Sequence, residues 1–466
     1  MTTVEGRTLK NALEVSVDRV SVRVSPHNYF TILLMGSFLS AFFFYLENDL
    51  AGVVLFVFSW VLVPFLALRD RIVFDGRRLR RTGFVPRVWA ALNRSRNTLK
   101  YRDIEQVETH ATRAVRRGGA VYYRYRTVVK GRGLEIAVSS GGDGYRKLLS
   151  KLLPLLNEDI LDHRSVELRD HLRDPKELTS LAEEFKIPSS EVLEDTLKAV
   201  RTRHSSREVS VQRTASAGDV SQLSALANGL RLSGNFLQAL EAFRRGLAQR
   251  PSDARLLFDF GRCLYTFASV RRDPRLERRA LAALRRSESK ARDDGELLVR
   301  VGEWYFQIGE IERAAIVLKR ASSHLGESFR SARGMAELAL REGKLAHVVH
   351  HFAAANRVTE SAALKRWSKN ETDYFASLSN DDEYLETEIA RVRLLEKILA
   401  GRRSALRIAM LGFPAILYGV IAEDDLIANI GWAISMVALV VWSGLAIGVG
   451  MLSRRIPYRM FSEETK

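Results

Sequence analysis

Four long stretches without a charged residue constrain this chain most. Tyr29 to Leu46 and Leu50 to Leu68 run for 18 and 19 residues without Asp, Glu, Lys, Arg or His. At 1.5 Å per residue each covers about 27–29 Å, close to the hydrocarbon thickness of a bilayer. Only Glu47, Asn48 and Asp49 separate them, so a helical hairpin is expected over residues 29–68. A second pair, Ile408–Ala422 and Leu426–Leu452, is divided by Glu423, Asp424 and Asp425 and predicts another hairpin over residues 408–452. Its first member, at 15 residues, is short for a span, and a buried soluble helix or a re-entrant segment is the alternative. Neither pair has the pattern of a cleaved signal peptide.

The arginines give these hairpins a direction. Arg69, Arg71, Arg77 and Arg78 follow the first pair, Arg402, Arg403 and Arg407 precede the second, and Arg454, Arg455 and Arg459 follow it, whereas both turns are acidic. The positive-inside rule then predicts a multi-pass protein with residues 1–28, 69–407 and the tail 453–466 on the cytoplasmic side. Arginine predominates over lysine, a bias associated with GC-rich bacterial genomes, so composition points to a bacterial inner membrane. The net charge of +17 and a pI near 10.0 call for an acidic partner. Beside such hairpins an anionic lipid surface is the expected one, and nucleic acid is not. The single cysteine, Cys263, excludes a disulfide framework and any CxxC metal or redox site.

Residues 69–157 read as a small β-rich domain with a closing helix. Asp75-Gly76 between Arg71–Phe74 and Arg78–Gly83 predicts a type I′ hairpin. Further strand-like runs are Thr98–Tyr101, Ile104–Thr109, Val121–Val129 and Leu134–Val138, and Tyr145–Leu156 has helical spacing. Val15, Val17, Val20, Val22 and Val24 alternate before the first hairpin, so residues 1–28 are expected to add a strand to the same sheet. The order of hairpin, strand-Asp-Gly-strand, Asp103-Ile104-Glu-Gln-Val107-Glu108, strands and helix resembles bacterial membrane-associated PH-like domains over roughly residues 10–157. That resemblance implies a partly opened β-barrel capped by a helix. From Arg69 to Arg132 there are 18 Lys plus Arg against 5 Asp plus Glu, a balance of +13. Arg77, Arg78, Arg80, Arg81, Arg94 and Arg96 are therefore the expected contacts with anionic lipid.

Residues 158–219 are expected to form a helical spacer ending in a flexible linker. From Val220 a self-similar pattern begins. Leu223, Leu226, Ala227, Leu230, Gly234, Ala239, Phe243, Gly246 and Pro251 start it. Leu257, Phe260, Gly261, Leu264, Ala280 and Leu284 continue it, with about seven extra residues between the two helices. Leu298, Val301, Gly302, Tyr305, Gly309, Ala314, Leu318 and Ala321 form a third copy, and Gly343, Phe352 and Ala355 belong to a fourth. Small residues let paired helices approach closely while Leu, Tyr and Phe fill the space between pairs. These positions resemble those of tetratricopeptide repeats over residues 220–362, although Val348 stands where the family has a small residue. Residues 363–407 are expected to cap the array.

The resemblance implies a concave groove lined by Asn228, Arg231, Arg262, Tyr265, Glu303, Phe306, Glu337 and Arg341, which would bind a protein or peptide. Asn228 and Arg300 match part of a chaperone-binding carboxylate clamp, but Ser224 and Glu296 stand where that clamp has lysines. Catalytic patterns are poor. His347 and His351 lack an HExxH glutamate, and Ser139 to Gly144 lacks the Gly-Lys-Ser/Thr ending of a phosphate loop. No catalytic residue, cofactor or metal is expected. The chain thus reads as a multi-domain membrane protein with an α-helical tetratricopeptide solenoid, a small PH-like β-barrel domain and two transmembrane helical hairpins. Its expected role is that of a membrane-anchored scaffold on the cytoplasmic face. The alternative is an accessory or assembly subunit of an integral-membrane enzyme or transport complex, packing on an integral-membrane partner through Gly36, Ser40, Gly444 and Gly448.

Overall fold

The computed structural model describes residues 19–24, 27–92, 97–115, 121–140, 143–195, 217–326 and 328–458. The chain divides into two compact units, one comprising residues 1–25, 69–343 and 350–369 and the other residues 26–68, 344–349 and 370–466.

Among its described residues the first unit begins with seven strands in two antiparallel sheets. Strands β1 (Val20–Arg23), β2 (Arg71–Phe74), β3 (Arg78–Thr82) and β4 (Thr98–Lys100) form one, in that order. Strands β5 (Gln106–Val115), β6 (Val121–Gly131) and β7 (Leu134–Ser139) form the other. The alternation of Val20 and Val22 has a physical outcome, since both are buried while Ser21 and Arg23 face outward, with Val20 opposite Phe74 and Val22 opposite Ile72. The β2–β3 turn differs from the type I′ expectation. A type I′ turn needs positive φ at two residues, yet of the turn residues only Gly76 has it, at 79°. The loop is Gly76-Arg77, between the paired Asp75 and Arg78, with positive φ at its first residue only, and the Asp75 carboxylate accepts from the backbone N–H groups of Arg77 and Arg78 at 3.0 and 2.6 Å. Helix α3 (Phe84–Leu92) between β3 and β4 was not foreseen from the strand-like runs around it. Helix α4 (Asp143–Leu152) buries Tyr145, Leu148, Leu149 and Leu152 at the spacing read from the sequence.

The rest of this unit is helical. After α5 (His163–His171) and α6 (Pro175–Glu184), three helical hairpins follow. They are α7 (Ala217–Leu232) with α8 (Phe236–Gln249), α9 (Ala254–Arg271) with α10 (Pro274–Lys290), and α11 (Gly295–Ile308) with α12 (Ile311–Leu325). Helices α13 (Phe329–Arg341) and α14 (Leu345–Val358) come next. Gly234 and Gly309 turn the first and third hairpins at φ of 89° and 88°, where a side chain would be strained. The extra residues of the second hairpin lie in its helices, because α9 and α10 have 18 and 17 residues and only Arg272 and Asp273 join them. Arg272 takes a left-handed C-cap and Asp273 caps the N-terminus of α10 ahead of Pro274, so the stop signal of one helix and the start signal of the next meet in two residues. Ala280, Leu284, Ala314 and Leu318 are fully buried in the close helix contacts.

The second unit contains α1 (His27–Tyr45), α2 (Asp49–Arg69) and the hairpin of α16 (Asp382–Ile421) with α17 (Asp425–Leu452), preceded by most of α15 (Ala362–Asn380). Three of these, α2, α16 and α17, are long and apolar enough to cross a membrane, and Ile32–Tyr45 is a shorter apolar helix. Pro64 cannot donate to the carbonyl one turn back, and the helix ladder relaxes just before it into a π turn over Phe58–Leu62. Within the first hairpin Gly36 abuts Ser59, and the Ser40 hydroxyl donates to the Gly52 carbonyl at 2.7 Å. The short apolar stretch 408–422 is no separate element. It is the last part of the 40-residue helix α16, whose backbone continues through Arg402, Arg403 and Arg407 although the apolar run does not.

Candidate functional site

The first helix of each pair carries the eight groove positions. Asn228 and Arg231 lie on α7, Arg262 and Tyr265 on α9, Glu303 and Phe306 on α11, and Glu337 and Arg341 on α13. Most of this hollow is engaged by the chain itself, through α5 and the turn before it.

Helix α5 starts where Asp162 caps it, accepting from the Ser165 and Thr109 N–H groups at 2.8 and 3.2 Å. Its sheet side is held by buried hydroxyls, Ser165 to Thr109 at 2.8 Å and Thr109 to Thr127 at 3.0 Å, with Tyr145 completing the chain at 2.8 Å from Thr127. Its other side presents Glu167 to the hollow. Arg231 donates to Glu167 at 2.8 Å, and Arg262 touches the same carboxylate. Arg262 also lies over the rings of Phe258 and Trp304, 4.8 and 5.1 Å from their centroids. Asn228 donates to Asp259 at 2.9 Å. In the turn Glu158–Ile160, Glu158 accepts from Arg169, Arg300 and Arg330 at 3.1, 3.0 and 2.7 Å. Arg330 continues to Glu303 at 2.7 Å.

The electrostatics follow from burial and pairing. Burial raises the Glu158 carboxyl, but Arg169, Arg300 and Arg330 outweigh it and hold the group below its usual range. Arg262 is pushed down by burial and by Arg300 and Arg164, and its contact with Glu167 keeps the guanidinium charged. His163, touching Gln307 and 6.0 Å from the Trp304 ring, is pushed well below the ordinary imidazole value by burial and by Arg262, Arg164, Arg330 and Arg231. Between that lowered value and 6.5 the unfolded chain binds the proton and the folded one does not, so stability falls as pH falls through this window. Thermal unfolding should therefore occur at lower temperature at about pH 5.5 than at about pH 7, and His163→Gln should flatten that dependence. His171, also lowered by burial, accounts for a residual slope of the same sign.

The far end of the hollow is more open. Arg341 lies 4.3 Å over the Phe306 ring, Arg333 pairs with Glu337 at 3.0 Å, and a cavity of about 90 Å³ opens beside Phe306, Gln307 and Glu337. Tyr265 is half-buried. The two residues matching a carboxylate clamp are both engaged, Asn228 by Asp259 and Arg300 by Glu158. Sequence reasoning missed Glu158 and Glu167, which sit in a stretch read as a spacer. Their signal is charge: two carboxylates able to answer arginines at the groove positions of the repeats.

Of the residues expected at lipid, Arg77, Arg78 and Arg80 are exposed on the β2–β3 hairpin. Arg81 is turned to the buried Asp70, at 2.5 Å. Arg94 and Arg96 lie outside the described residues. Cys263 is fully buried, its thiol pushed up to about 12 by that burial, as suits a small core residue.

No family model and no curated protein matches the chain. Among solved structures it is similar to a chain in the crystal structure of the APC/C hetero-tetramer Cut9-Hcn1, at 13% identity and a TM-score of 0.28. The match covers 66% of this chain and 52% of that one, so the chain spans about half the length of the protein it matches. At that score the likeness adds nothing to the architecture read from the helices themselves.

Proposed function

We propose that this protein is a membrane-anchored scaffold of the cytoplasmic face, with two transmembrane hairpins and a tetratricopeptide-type array that recruits a protein partner. The observation that carries this reading is the chemistry of the hollow. Paired helices with close Gly and Ala contacts present arginines, carboxylates and aromatic rings that hold an acidic segment by ion pairs, an arrangement suited to recognition rather than reaction. The division of seven strands into four and three, followed by α4, supports a PH-like reading of the β-rich part. The exposed Arg77, Arg78 and Arg80 support its apposition to anionic lipid in a bacterial inner membrane. Because Arg231 and Arg262 are consumed inside the chain, the groove face left for a partner is its far end, at Phe306, Glu337 and Arg341, with Tyr265.

The accessory-subunit reading keeps one specific support. A Cβ at Gly444 would meet nothing within 4 Å among the described residues, and Ile447 and Met451 beside it are 67% and 75% exposed, a surface that a partner helix could pack against. Gly36 and Ser40, by contrast, are used within the first hairpin.

Topology tests the anchor. Cysteines placed at Asn48 and Asp424 should react with an impermeant thiol reagent on intact cells, and one at the exposed Ser323 should react only after lysis. Labelling of Ser323→Cys in intact cells would overturn the cytoplasmic reading. Purification in mild detergent then separates the two functions, because a stoichiometric integral-membrane partner identifies the accessory subunit.

A further inference from the structure

With most of the hollow filled, a cluster of unanswered positive charge stands on the outer layer of the helical array. Helix α10 exposes Arg275, Arg278, Arg279, Arg285, Arg286 and Lys290. None of the six has a carboxylate partner among the described residues, and Arg278 donates only to the Pro274 carbonyl. The acids of the same helix do not neutralise them. Glu277 hydrogen-bonds Tyr265 and is half-buried. Glu288 accepts from Tyr305 and Arg313 at 3.2 and 3.1 Å and lies 3.7 Å from Arg320. Asp273 is spent capping the helix. Arg275 with Arg279, and Arg286 with Lys290, are four residues apart and repel along the helix.

The cations are ordered rather than scattered. At 3.6 residues per turn, Arg278 and Arg285 form one row and Arg279 and Arg286 a second, each with a spacing of about 10.5 Å. Between the rows lie the exposed small residues Ala282 and Ser289, so another backbone can come close along that line while charged side chains reach across on both sides. A second α-helix has the same seven-residue period. A nucleic-acid strand does not, and the face carries no aromatic residue on which bases could stack. Nor does it expose a large apolar side chain for insertion into a lipid interface.

From this we infer that the outer face of α10 docks an acidic α-helix of a protein partner, with small residues on its seam and Glu or Asp at seven-residue spacing on both flanks. The inference rests on the scaffold reading and names a surface and a partner chemistry for it. Docking adds one helix to the outer layer of the array and leaves α5 in the hollow undisturbed.

The test uses the full chain in zwitterionic detergent and two synthetic peptides of about 20 residues and identical composition. One has an Ala seam flanked by Glu at seven-residue spacing, and the other is scrambled. The patterned peptide should bind about tenfold more tightly than the scrambled one. The variant R278Q/R279Q/R285Q/R286Q should lose that preference while its circular dichroism stays unchanged, because all four side chains are exposed. Equal binding of the scrambled peptide, or of duplex RNA of matched charge, would show a mere polyelectrolyte surface and overturn the inference, as would no binding of the patterned peptide. Recovery of native partners plays no part in this measurement, so failure of the scaffold reading and failure of the α10 surface give separate results.

Discussion

Glu167→Ala should lower stability by about 3–5 kcal/mol, because it strands two buried guanidiniums around a missing carboxylate. Glu167, Arg231 and Arg262 are only 8%, 7% and 5% exposed, so removing the carboxylate leaves both guanidiniums largely out of bulk water. Arg231 would retain Asn228, at 3.2 Å, and Arg262 would retain a 3.6 Å approach to Asp259, neither of which supplies a direct charge-paired hydrogen bond. Glu167→Gln keeps an acceptor and loses the charge, and should cost about 1–3 kcal/mol. Thermal unfolding in detergent, followed by far-ultraviolet circular dichroism, reads both. An unaltered melting temperature for the Ala variant would mean that α5 is not clamped by these arginines.

Gly302→Leu should unfold the third hairpin by overpacking, at a cost of about 1–3 kcal/mol or more. A Cβ at Gly302 would stand 2.6 Å from Leu318 Cγ and 2.8 Å from its Cδ2, and Leu318 is itself only 1% exposed. The backbone N of Leu318 lies 3.5 Å away, so the neighbouring helix is nearly in contact and has little room to retreat. Gly302→Ala should cost less than the Leu substitution but more than nothing. Far-ultraviolet circular dichroism against temperature would show the loss, and an unperturbed melt of the Leu variant would refute the close packing of α11 on α12.

What was legible in the sequence is what local chemistry dictates. Gly234 and Gly309 were readable as hairpin turns because left-handed backbone selects glycine, and Ala280, Ala314 and Gly302 because close helix approach selects small side chains. The occupied hollow was not readable. Its decisive contact joins Arg231 to Glu167 across 64 residues, and no periodicity within either segment records it. For the same reason the spacing that puts the eight expected groove positions on the first helix of each pair does not reveal which of them the chain already uses. The unity of α16 was legible in part, because the amphipathic spacing of Tyr384 to Leu406 runs straight into the apolar stretch. Arg402, Arg403 and Arg407 interrupt the apolar run, yet arginine is a good helix former, and Arg402 lies 5.1 Å over the Trp442 ring of the partner helix. The β2–β3 loop shows a third limit, since Asp-Gly need not be the two loop residues: Asp75 is the last paired residue and its carboxylate binds the following N–H groups, which moves the loop to Gly76-Arg77.

Helix α16 carries a mechanical consequence. Its 40 residues make a rod of about 60 Å, and only Pro414 lies inside it as a weak point. The hairpin it makes with α17 is fastened near both ends. Near the turn a Cβ on Gly419 would come within 2.4 Å of the Ala428 backbone. At the other end Arg391 donates to the Leu452 carbonyl at 2.6 Å, and Glu388 accepts from Arg391 at 2.7 Å and from the Ile456 N–H at 3.0 Å. Two helices pinned at both ends cannot slide past each other, so the hairpin is closed to shear and free only to tilt or roll as one body. A roll of its apolar half would therefore be felt at Tyr384 and Glu388 through these fastenings, with Pro414 the one place where the rod could bend instead.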